Sequence, residues 1–290
     1  MNGDTTMVTR EPIERAVASL EREGYRIGHA WVRNVSSGED TGTVLHELAF
    51  YQQPDGGFSG LELDIKAPVS NPFATRLALK ILTTLRLADR DLAALREQAV
   101  VQRLEGWLDE AQSEDGDWHF APDVYQHELA PWYAGWTFPS LNPPASLAGL
   151  AHRLGLGSQR LHERVRRLFD EKATLAEAET GEFYTVLPYF EYVGAVPHPA
   201  RDAYLDALAR NVERTLAGGG YADAEHFFVH VDAGGPDLAR RLPAGTIEGQ
   251  LDRLVSEQQD DGGWATPYDP AWRPWSTAAN AVTLLRHGRA

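Results

Sequence analysis

The chain contains no cysteine among its 290 residues. This absence excludes disulfides, thiolate zinc sites, iron–sulfur clusters and cysteine nucleophiles. Basic residues are also scarce, with 27 Lys and Arg against 42 Asp and Glu, so the net charge is −15. Because a charge of this sign repels phosphate backbones, we expect no nucleic-acid partner.

Long apolar runs are missing as well. No stretch approaches the ~18 apolar residues that a transmembrane helix needs. The first twenty residues are polar and of mixed charge, and they lack the apolar centre and the small-residue cleavage site of a secretion signal. We therefore expect a cytoplasmic protein without an integral membrane segment. Hydrophobic residues still make up 43% of the chain, which is enough to build a folded core.

Apolar residues recur at spacings of three and four along most of the chain, and this pattern predicts an all-α fold. Two short segments, Phe183–Leu187 and Phe227–Val231, are candidate strands. Pro188 weakens the prediction of the helix that contains it. Asp89–Gln112 forms either one helix or two. The other predicted helices are Thr9–Arg22, Thr43–Tyr51, Ala74–Ala88, Pro144–Leu154, Ser158–Ala173, Glu182–Tyr192, Pro199–Leu216, Thr246–Gln258 and Ser276–His287.

Three short segments repeat one pattern, namely Gln53 to Phe58, Gln112 to Trp118 and Gln259 to Trp264. Each follows an amphipathic helix and precedes a helix that is rich in small residues. The glutamine can reach the exposed backbone groups of a helix end, and the Asp-Gly pair supplies a turn with positive φ. The aromatic residue fills the corner between two helices. Degenerate corners at residues 181–184 and 218–221 raise the number of predicted hairpins to about five or six.

These segments resemble the QW-type repeats of the terpene cyclase and protein prenyltransferase β-subunit superfamily, which includes squalene–hopene cyclases. The resemblance implies an all-α fold, an α/α toroid in which residues 1–290 form one domain, with residues 1–8 as a flexible N-terminus. The catalytic motifs of the family are missing. No Asp-x-Asp-Asp acid and no convincing Asp-rich metal motif occur, and the zinc site of protein prenyltransferases needs a cysteine. The chain thus resembles a divergent single-barrel member.

An aromatic insertion follows the second corner. Trp118 and Ala145 are 27 positions apart, whereas the equivalent spacings after the first and third corners are 16 and 14. Long loops in compact domains are often functional. Asp123 and His127 could form an acid–base pair, or they could form a metal site with Glu128. Five aromatic residues could line a pocket or contact a cation, namely Tyr125, Trp132, Tyr133, Trp136 and Phe138. The alternative is a packed lid with histidines on its surface.

Two further candidate groups follow the first and third corners. Glu62 and Asp64 could supply an acid whose pKa is raised by burial, or they could form a solvated pair in a loop. Arg273 could hold an anionic group next to Trp275, or both residues could belong to a stacked corner that closes the ring.

A metal site is a third candidate. His226, His230 and Asp232 lie at spacings that could place two imidazoles and a carboxylate together, or they could be ordinary polar residues beside two core phenylalanines. No cofactor-binding motif occurs, so we expect no cofactor, while a metal stays possible.

Three functions fit this pattern. The first is a terpene-cyclase-like enzyme that cyclises or rearranges a largely apolar small molecule in an aromatic-rimmed cavity, with Asp123, His127, Glu62 or Asp64 as acid or base. The second is a non-catalytic toroid that binds a hydrophobic ligand or a partner protein, or that forms a homo-oligomer. The third is a ring-closing enzyme that acts on a polar natural-product intermediate.

Overall fold

The structure is a computed structural model that describes residues 10–38, 40–87 and 91–289. Within these ranges the fold is all-α, as the sequence predicts, and only isolated β-bridges accompany the helices. The helices are α1 (Glu11–Arg22), α2 (Arg26–Ser37), α3 (Thr41–Ala49), α4 (Pro72–Thr84), α5 (Leu92–Arg96), α6 (Ala99–Glu110), α7 (Pro131–Ala134), α8 (Pro144–Leu154), α9 (Gln159–Lys172), α10 (Leu175–Thr180), α11 (Phe183–Val193), α12 (Arg201–Ala217), α13 (Ala224–Ala239), α14 (Thr246–Ser256) and α15 (Arg273–Arg286).

Six helices, which we call the inner helices, contact one another in a cyclic order. They are α2, α4, α8, α11, α13 and α15. Each packs against the next from α4 to α15, and α15 packs against α2. The indole of Trp31 in α2 donates a hydrogen bond of 2.9 Å to the hydroxyl of Thr84 in α4. This bond joins α2 to α4 and completes the cycle of contacts. A toroid requires this cyclic order of contacts, and the toroid itself stays a prediction.

Six outer helices alternate with the inner ones along the chain. They are α1, α3, α6, α9, α12 and α14, and one of them precedes each inner helix. The two sets differ in burial, because α8 buries nine of its eleven residues whereas α9 buries only Leu161, Val165, Leu168 and Phe169. Each outer helix therefore presents one apolar stripe to the protein and one polar face to solvent.

The third corner shows why the repeat needs its glycine. Gly262 has a φ of +89°, and a Cβ at this position would lie 2.3 Å from the backbone oxygen of Arg15 in α1. The side-chain amide of Gln258 donates to the carbonyl oxygens of Gly262 (2.9 Å) and Pro12 (2.8 Å). Only glycine combines this backbone conformation with so close an approach. The last corner is thereby bound to the first helix.

The other two corners make the same contacts with the next outer helix. The glutamine four residues before the glycine donates both to that glycine and to the first turns of the following outer helix. The partners are Gly56 and Val100 for Gln52, and Gly116 and Leu161 for Gln112. The equivalent glutamines are thus Gln52, Gln112 and Gln258. The repeat pattern in the sequence begins the first and third corners at Gln53 and Gln259, which is one residue too late.

Both strand predictions are wrong, because Phe183–Leu187 lies in α11 and Phe227–Val231 lies in α13. Aromatic and β-branched residues favour strands, but here the helices are set by burial on several sides. The side chain of Asp223 also caps α13 by accepting a hydrogen bond of 2.9 Å from the backbone N–H of His226. Pro188 lies inside α11, which continues through it.

The remaining predicted helices are confirmed, with ends displaced by a few residues, and the Asp89–Gln112 segment forms two helices. The predicted ends Thr9, Ala88 and Asp89 lie outside the described residues, as does the predicted flexible N-terminus, 1–8. Sequence periodicity missed α2, because Gly28 and the polar Asn34 interrupt its apolar pattern although both are buried. It also missed the short α10. No helix in the described part of the chain is long and apolar enough to cross a membrane.

Candidate functional site

A cavity of about 460 Å³ opens where the first turns of four inner helices meet. The residues that line it come from the N-terminal halves of α4, α11, α13 and α15, from the loop after the first corner, from the aromatic insertion and from the loop after the third corner. A smaller cavity of about 60 Å³ lies further along the inner helices, lined mainly by residues in the C-terminal halves of α4, α8, α11 and α15. Lys80 and Glu225 line both cavities and therefore lie between them.

The aromatic insertion covers one side of the larger cavity. It pairs with the loop after the first corner through backbone hydrogen bonds from Lys66 N to Glu128 O (3.0 Å) and from Ala130 N to Asp64 O (2.9 Å). A small aromatic cluster then forms beneath it, in which the ring of Phe73 lies 4.6 Å from that of Tyr133 and 4.9 Å from that of Trp136. These contacts fix the insertion as part of the cavity wall.

Glu62 is a buried carboxyl group in this wall, and only 8% of the residue is exposed. It accepts a hydrogen bond of 3.1 Å from the backbone N–H of Asp64, and it lines the cavity together with Tyr133. Burial raises the pKa of Glu62 to about 7, and the nearby charge of Asp64 raises it too. The hydrogen bond from Asp64, the hydroxyl of Tyr133 and the charge of Arg76 lower this pKa, but burial outweighs them. Glu62 can therefore carry a proton near neutral pH.

A chain of four hydrogen-bonded side chains lies on another side of the same cavity. The hydroxyl of Tyr184 donates to that of Tyr268 (2.5 Å), and Tyr268 donates to Nε2 of His226 (2.6 Å). Nδ1 of His226 donates to the carboxylate of Asp223 (2.5 Å). Although burial raises the pKa of Asp223, the hydrogen bond and charge of His226 bring it below its ordinary value. A carboxylate that holds one imidazole nitrogen leaves the other nitrogen free to accept a proton.

The floor of the cavity is charged. The guanidinium of Arg76 donates to both carboxylate oxygens of Glu191, at 2.9 and 2.6 Å. Lys80 lies one helical turn further along α4, with its ammonium 5.9 Å from the ring centre of Trp275. Glu225 faces it from α13, and burial raises the pKa of this carboxyl above its ordinary value, while Lys80 opposes the shift. The cavity thus combines aromatic walls with a polar floor.

Six of the residues predicted to take part in catalysis or substrate binding line the cavity together. They are Glu62, Asp64, Trp132, Tyr133, Trp136 and Trp275. The sequence placed them in three separate loops, and the ring of inner helices brings those loops to one end of the molecule.

Five predicted site residues lie outside the cavity. Asp123, Tyr125 and His127 are exposed on the outer surface of the insertion, and Asp123 accepts a hydrogen bond from Gln126. The insertion begins with a single turn of 3-10 helix at residues 122–126, which directs these side chains to solvent. The expected acid–base pair of Asp123 and His127 is therefore not formed at the cavity.

The other two have structural partners. Phe138 stacks on the ring of His119 at 4.8 Å and packs against Phe120 beneath the insertion. Arg273 forms ion pairs with Glu23 and Asp261, each at 2.6 Å, so it ties the third corner to the end of α1. The position of Arg273 therefore agrees with the second interpretation given above, in which it belongs to the corner that closes the ring, rather than with the binding of an anionic group.

The three predicted metal ligands point to different partners. His226 belongs to the chain at the cavity. His230 stacks between Phe183 (4.2 Å) and Phe190 (4.4 Å), and burial lowers its pKa to about 3. Asp232 pairs with Arg286 and His287. The described residues contain no group of three or more His, Asp or Glu side chains that could hold a metal ion.

Sequence reasoning missed five polar residues of the site, namely Arg76, Lys80, Asp223, Glu225 and Tyr268. A usable signal was present for Arg76 and Lys80, because both interrupt the apolar face of a helix that the repeat pattern assigns to the inner layer. Tyr268 lies in the loop after the third corner, where only Arg273 and Trp275 were considered. Asp223 and Glu225 were hidden by the strand interpretation of the segment that follows them.

Comparison with known proteins gives no further assignment, because no protein-family model, no curated protein and no solved structure matches the chain.

Proposed function

We propose that this protein is a small-molecule enzyme that isomerises or cyclises an unsaturated, largely apolar substrate by moving protons. The observation that carries the proposal is that a buried carboxyl, Glu62, and a hydrogen-bonded Asp–His–Tyr–Tyr chain open onto one aromatic cavity. A cavity that holds a proton donor and a proton acceptor around an apolar space suits acid–base chemistry on a carbon skeleton.

Glu62 is the proton donor in this scheme. Its proton adds to a carbon–carbon double bond of the substrate, and the new positive charge develops between the aromatic faces of Trp132, Trp136 and Trp275. Ring faces stabilise a cation that is removed from water. Ring closure or a hydride shift then moves the charge along the skeleton without changing the composition of the substrate.

The hydrogen-bonded chain removes a proton at the end of the reaction. The hydroxyl of Tyr268 accepts the proton from the substrate carbon while its own proton passes to Nε2 of His226. The carboxylate of Asp223 stabilises the resulting imidazolium. One proton is gained from Glu62 and one is lost to His226, so the product is an isomer of the substrate, and exchange with water restores both groups.

The fold part of the proposal is a single α/α toroid of six hairpins, related to the terpene cyclase and prenyltransferase β-subunit superfamily. It is supported by the cyclic order of the inner helices and by the three equivalent corners, each of which packs against the next outer helix. In such a toroid the cavity lies at one end of the central space. The acid differs from that of the family, since Glu62 comes from a loop rather than from an Asp-x-Asp-Asp motif.

The charged floor favours a second candidate, a ring-closing enzyme for an intermediate with a polar end. Arg76, Lys80 and Glu225 offer partners to such a group, while the aromatic walls still hold an apolar body. The two candidates share Glu62 and differ in the substrate that binds best.

A substrate panel tests both candidates. The purified protein is incubated with linear polyenes that end in a hydrocarbon, an epoxide, an alcohol or a carboxylate, and products with the mass of the substrate are identified by chromatography and mass spectrometry. We expect at least one cyclised or rearranged isomer. Glu62→Gln should lower its rate by about 10²-fold or more, as loss of a general acid does. Glu128→Gln, the same change at an exposed site on the insertion, should leave the rate unchanged.

The same panel can contradict the proposal. If a member raises the melting temperature of the protein and competes with an aromatic-cavity probe, but is recovered unchanged, the protein is a binding toroid without chemistry. If Glu62→Gln turns over as fast as the unaltered protein, Glu62 is not the acid.

A further inference from the structure

Lys80 is an unusual residue in this chain. The sequence has only three lysines, at positions 66, 80 and 172, beside 24 arginines. Lys66 is exposed and lies outside the cavity, and Lys172 lies at the end of an outer helix. Lys80 alone lies on an inner helix, with its ammonium group above the ring of Trp275 in the floor of the larger cavity.

Three arginines line the two cavities together with Lys80. One of them, Arg153, donates to the backbone oxygen of Ala233, and the other two have carboxylate partners. Arg76 is bound to Glu191, and Arg286 is bound to Asp232. Lys80 has no such partner, since no carboxylate of the described residues lies within ion-pair distance of its Nζ and no hydrogen bond joins it to them. An arginine cannot lose its proton in a protein, whereas a lysine in a dry site can. The one amine of the inner layer is thus left free to face a ligand.

The surroundings favour the neutral amine. Burial lowers the pKa of Lys80 below its ordinary value, and the charge of Arg76 on the same helix lowers it further. Three carboxyl groups oppose this effect, namely Glu225 and Asp232 from α13 and Glu191 from α11. Two of them are already bound to arginines, and the third, Glu225, has its own pKa raised by burial.

We propose that Lys80 forms an imine with the carbonyl carbon of an aldehyde or ketone that carries an apolar chain. The amine nitrogen attacks the carbonyl carbon, and the carbonyl oxygen takes up a proton to give a carbinolamine. Loss of water then breaks the carbon–oxygen bond and leaves a carbon–nitrogen double bond. Glu225 is placed to donate the proton that the departing water needs and to take it back when water hydrolyses the imine.

The aromatic walls select the ligand for this site. An apolar chain bound between Trp132, Tyr133 and Trp136 would bring a terminal carbonyl to the floor, where Lys80 lies. A small hydrophilic aldehyde gains nothing from these walls and should react no better with Lys80 than with an exposed amine. The ligand class is therefore a long-chain aldehyde or ketone.

Reductive trapping tests this inference. The intact protein is mixed with decanal at neutral pH, sodium cyanoborohydride reduces any imine to a stable secondary amine, and peptide mapping by mass spectrometry locates the decyl groups. We expect Lys80 to be labelled at least about tenfold faster than Lys66 or Lys172, because burial favours its neutral amine and the aromatic walls hold the decyl chain beside it. Acetaldehyde should show no such preference. Lys80→Arg should lose this label, and Lys66→Arg should keep it.

Two results would overturn the inference. One is labelling of Lys66, Lys172 or the terminal amine at rates equal to or above that of Lys80. The other is an unlabelled Lys80 in protein that binds decanal, as shown by a raised melting temperature. A second variant, Lys80→Met, and circular dichroism establish that loss of label does not reflect unfolding. Reductive trapping measures only the formation of an imine at Lys80. Its result is therefore independent of whether Glu62 transfers a proton in the proposed isomerisation.

Discussion

The guanidinium of Arg76 and the carboxylate of Glu191 form a bidentate ion pair that joins α4 to α11 across α8. Both side chains are almost fully buried, with 12% and 5% of their surface exposed. A buried pair of this kind adds little to stability as a unit, but removal of one partner leaves a charge without compensation.

Glu191→Gln should therefore lower the free energy of unfolding by about 3 kcal/mol or more. Chemical denaturation measures this change. The matched control is Glu248→Gln, which removes an exposed partner of Arg289 and should cost less than about 1 kcal/mol. Equal effects of the two substitutions would show that the Arg76–Glu191 pair is not held in a dry interior.

A pair of glycine substitutions tests the closure of the ring. Gly262→Ala adds a Cβ that would lie 2.3 Å from the backbone oxygen of Arg15, at a φ of +89°. We expect a loss of at least about 2 kcal/mol in the free energy of unfolding. Gly249→Ala in the exposed part of α14, where no atom lies within 4 Å of the added Cβ, should instead stabilise the protein by about 0.4–1 kcal/mol. If Gly262→Ala is harmless, the last corner does not pack on α1.

The protonation of Glu62 predicts a pH dependence of stability. Its pKa is raised from 4.5 to about 7 in the folded protein, so the folded state binds this proton more tightly than the unfolded state. The resulting stabilisation is present in full below the unfolded pKa and is lost as the pH rises through about 7. Relative to Glu62→Gln, the unaltered protein should thus lose about 3 kcal/mol between about pH 4 and pH 8. A difference between the unaltered protein and Glu62→Gln that stays constant over this pH range would mean that Glu62 is solvated.

The Asp–His–Tyr–Tyr chain predicts a specific role for one hydroxyl. Tyr268→Phe removes the oxygen that links Tyr184 to His226, so the product of the panel reaction should form about 10²-fold more slowly. Tyr125→Phe is the control, because Tyr125 is an exposed tyrosine of the insertion, outside the cavity. Similar rates for the two variants would remove the chain from the mechanism.

The repeat corners made most of the fold predictable. Glycine at positive φ, an aromatic residue two positions later and a helix of small residues leave a signal in the sequence at Gly56, Gly116 and Gly262. The helices without such a corner were harder to find. For α13, the strand-forming tendency of Phe227 and Val231 outweighed the cap at Asp223, since burial from several neighbours leaves no trace in a short window.

Half of the site could be predicted for a similar reason. Glu62 and the aromatic residues of the insertion follow corners, so their place at one end of the ring follows from the repeat. The sequence could not separate Trp132, which lines the cavity, from Tyr125, which faces solvent, because the direction of the insertion is set by its pairing with residues 64–66. Lys80 and Glu225 lie on α4 and α13, which are far apart in the sequence. The packing of the inner helices brings them to the same cavity, and a short window of sequence carries no signal of this packing.

Deuterium incorporation tests the central claim most directly. The unaltered protein and Glu62→Gln are each incubated in D₂O with the panel member that is converted, and the isomeric product is analysed by mass spectrometry and NMR. The proposed mechanism predicts one deuterium at a single carbon of the product from the unaltered protein and no such product from Glu62→Gln. A product without deuterium, or an equally labelled product from both proteins, would contradict it.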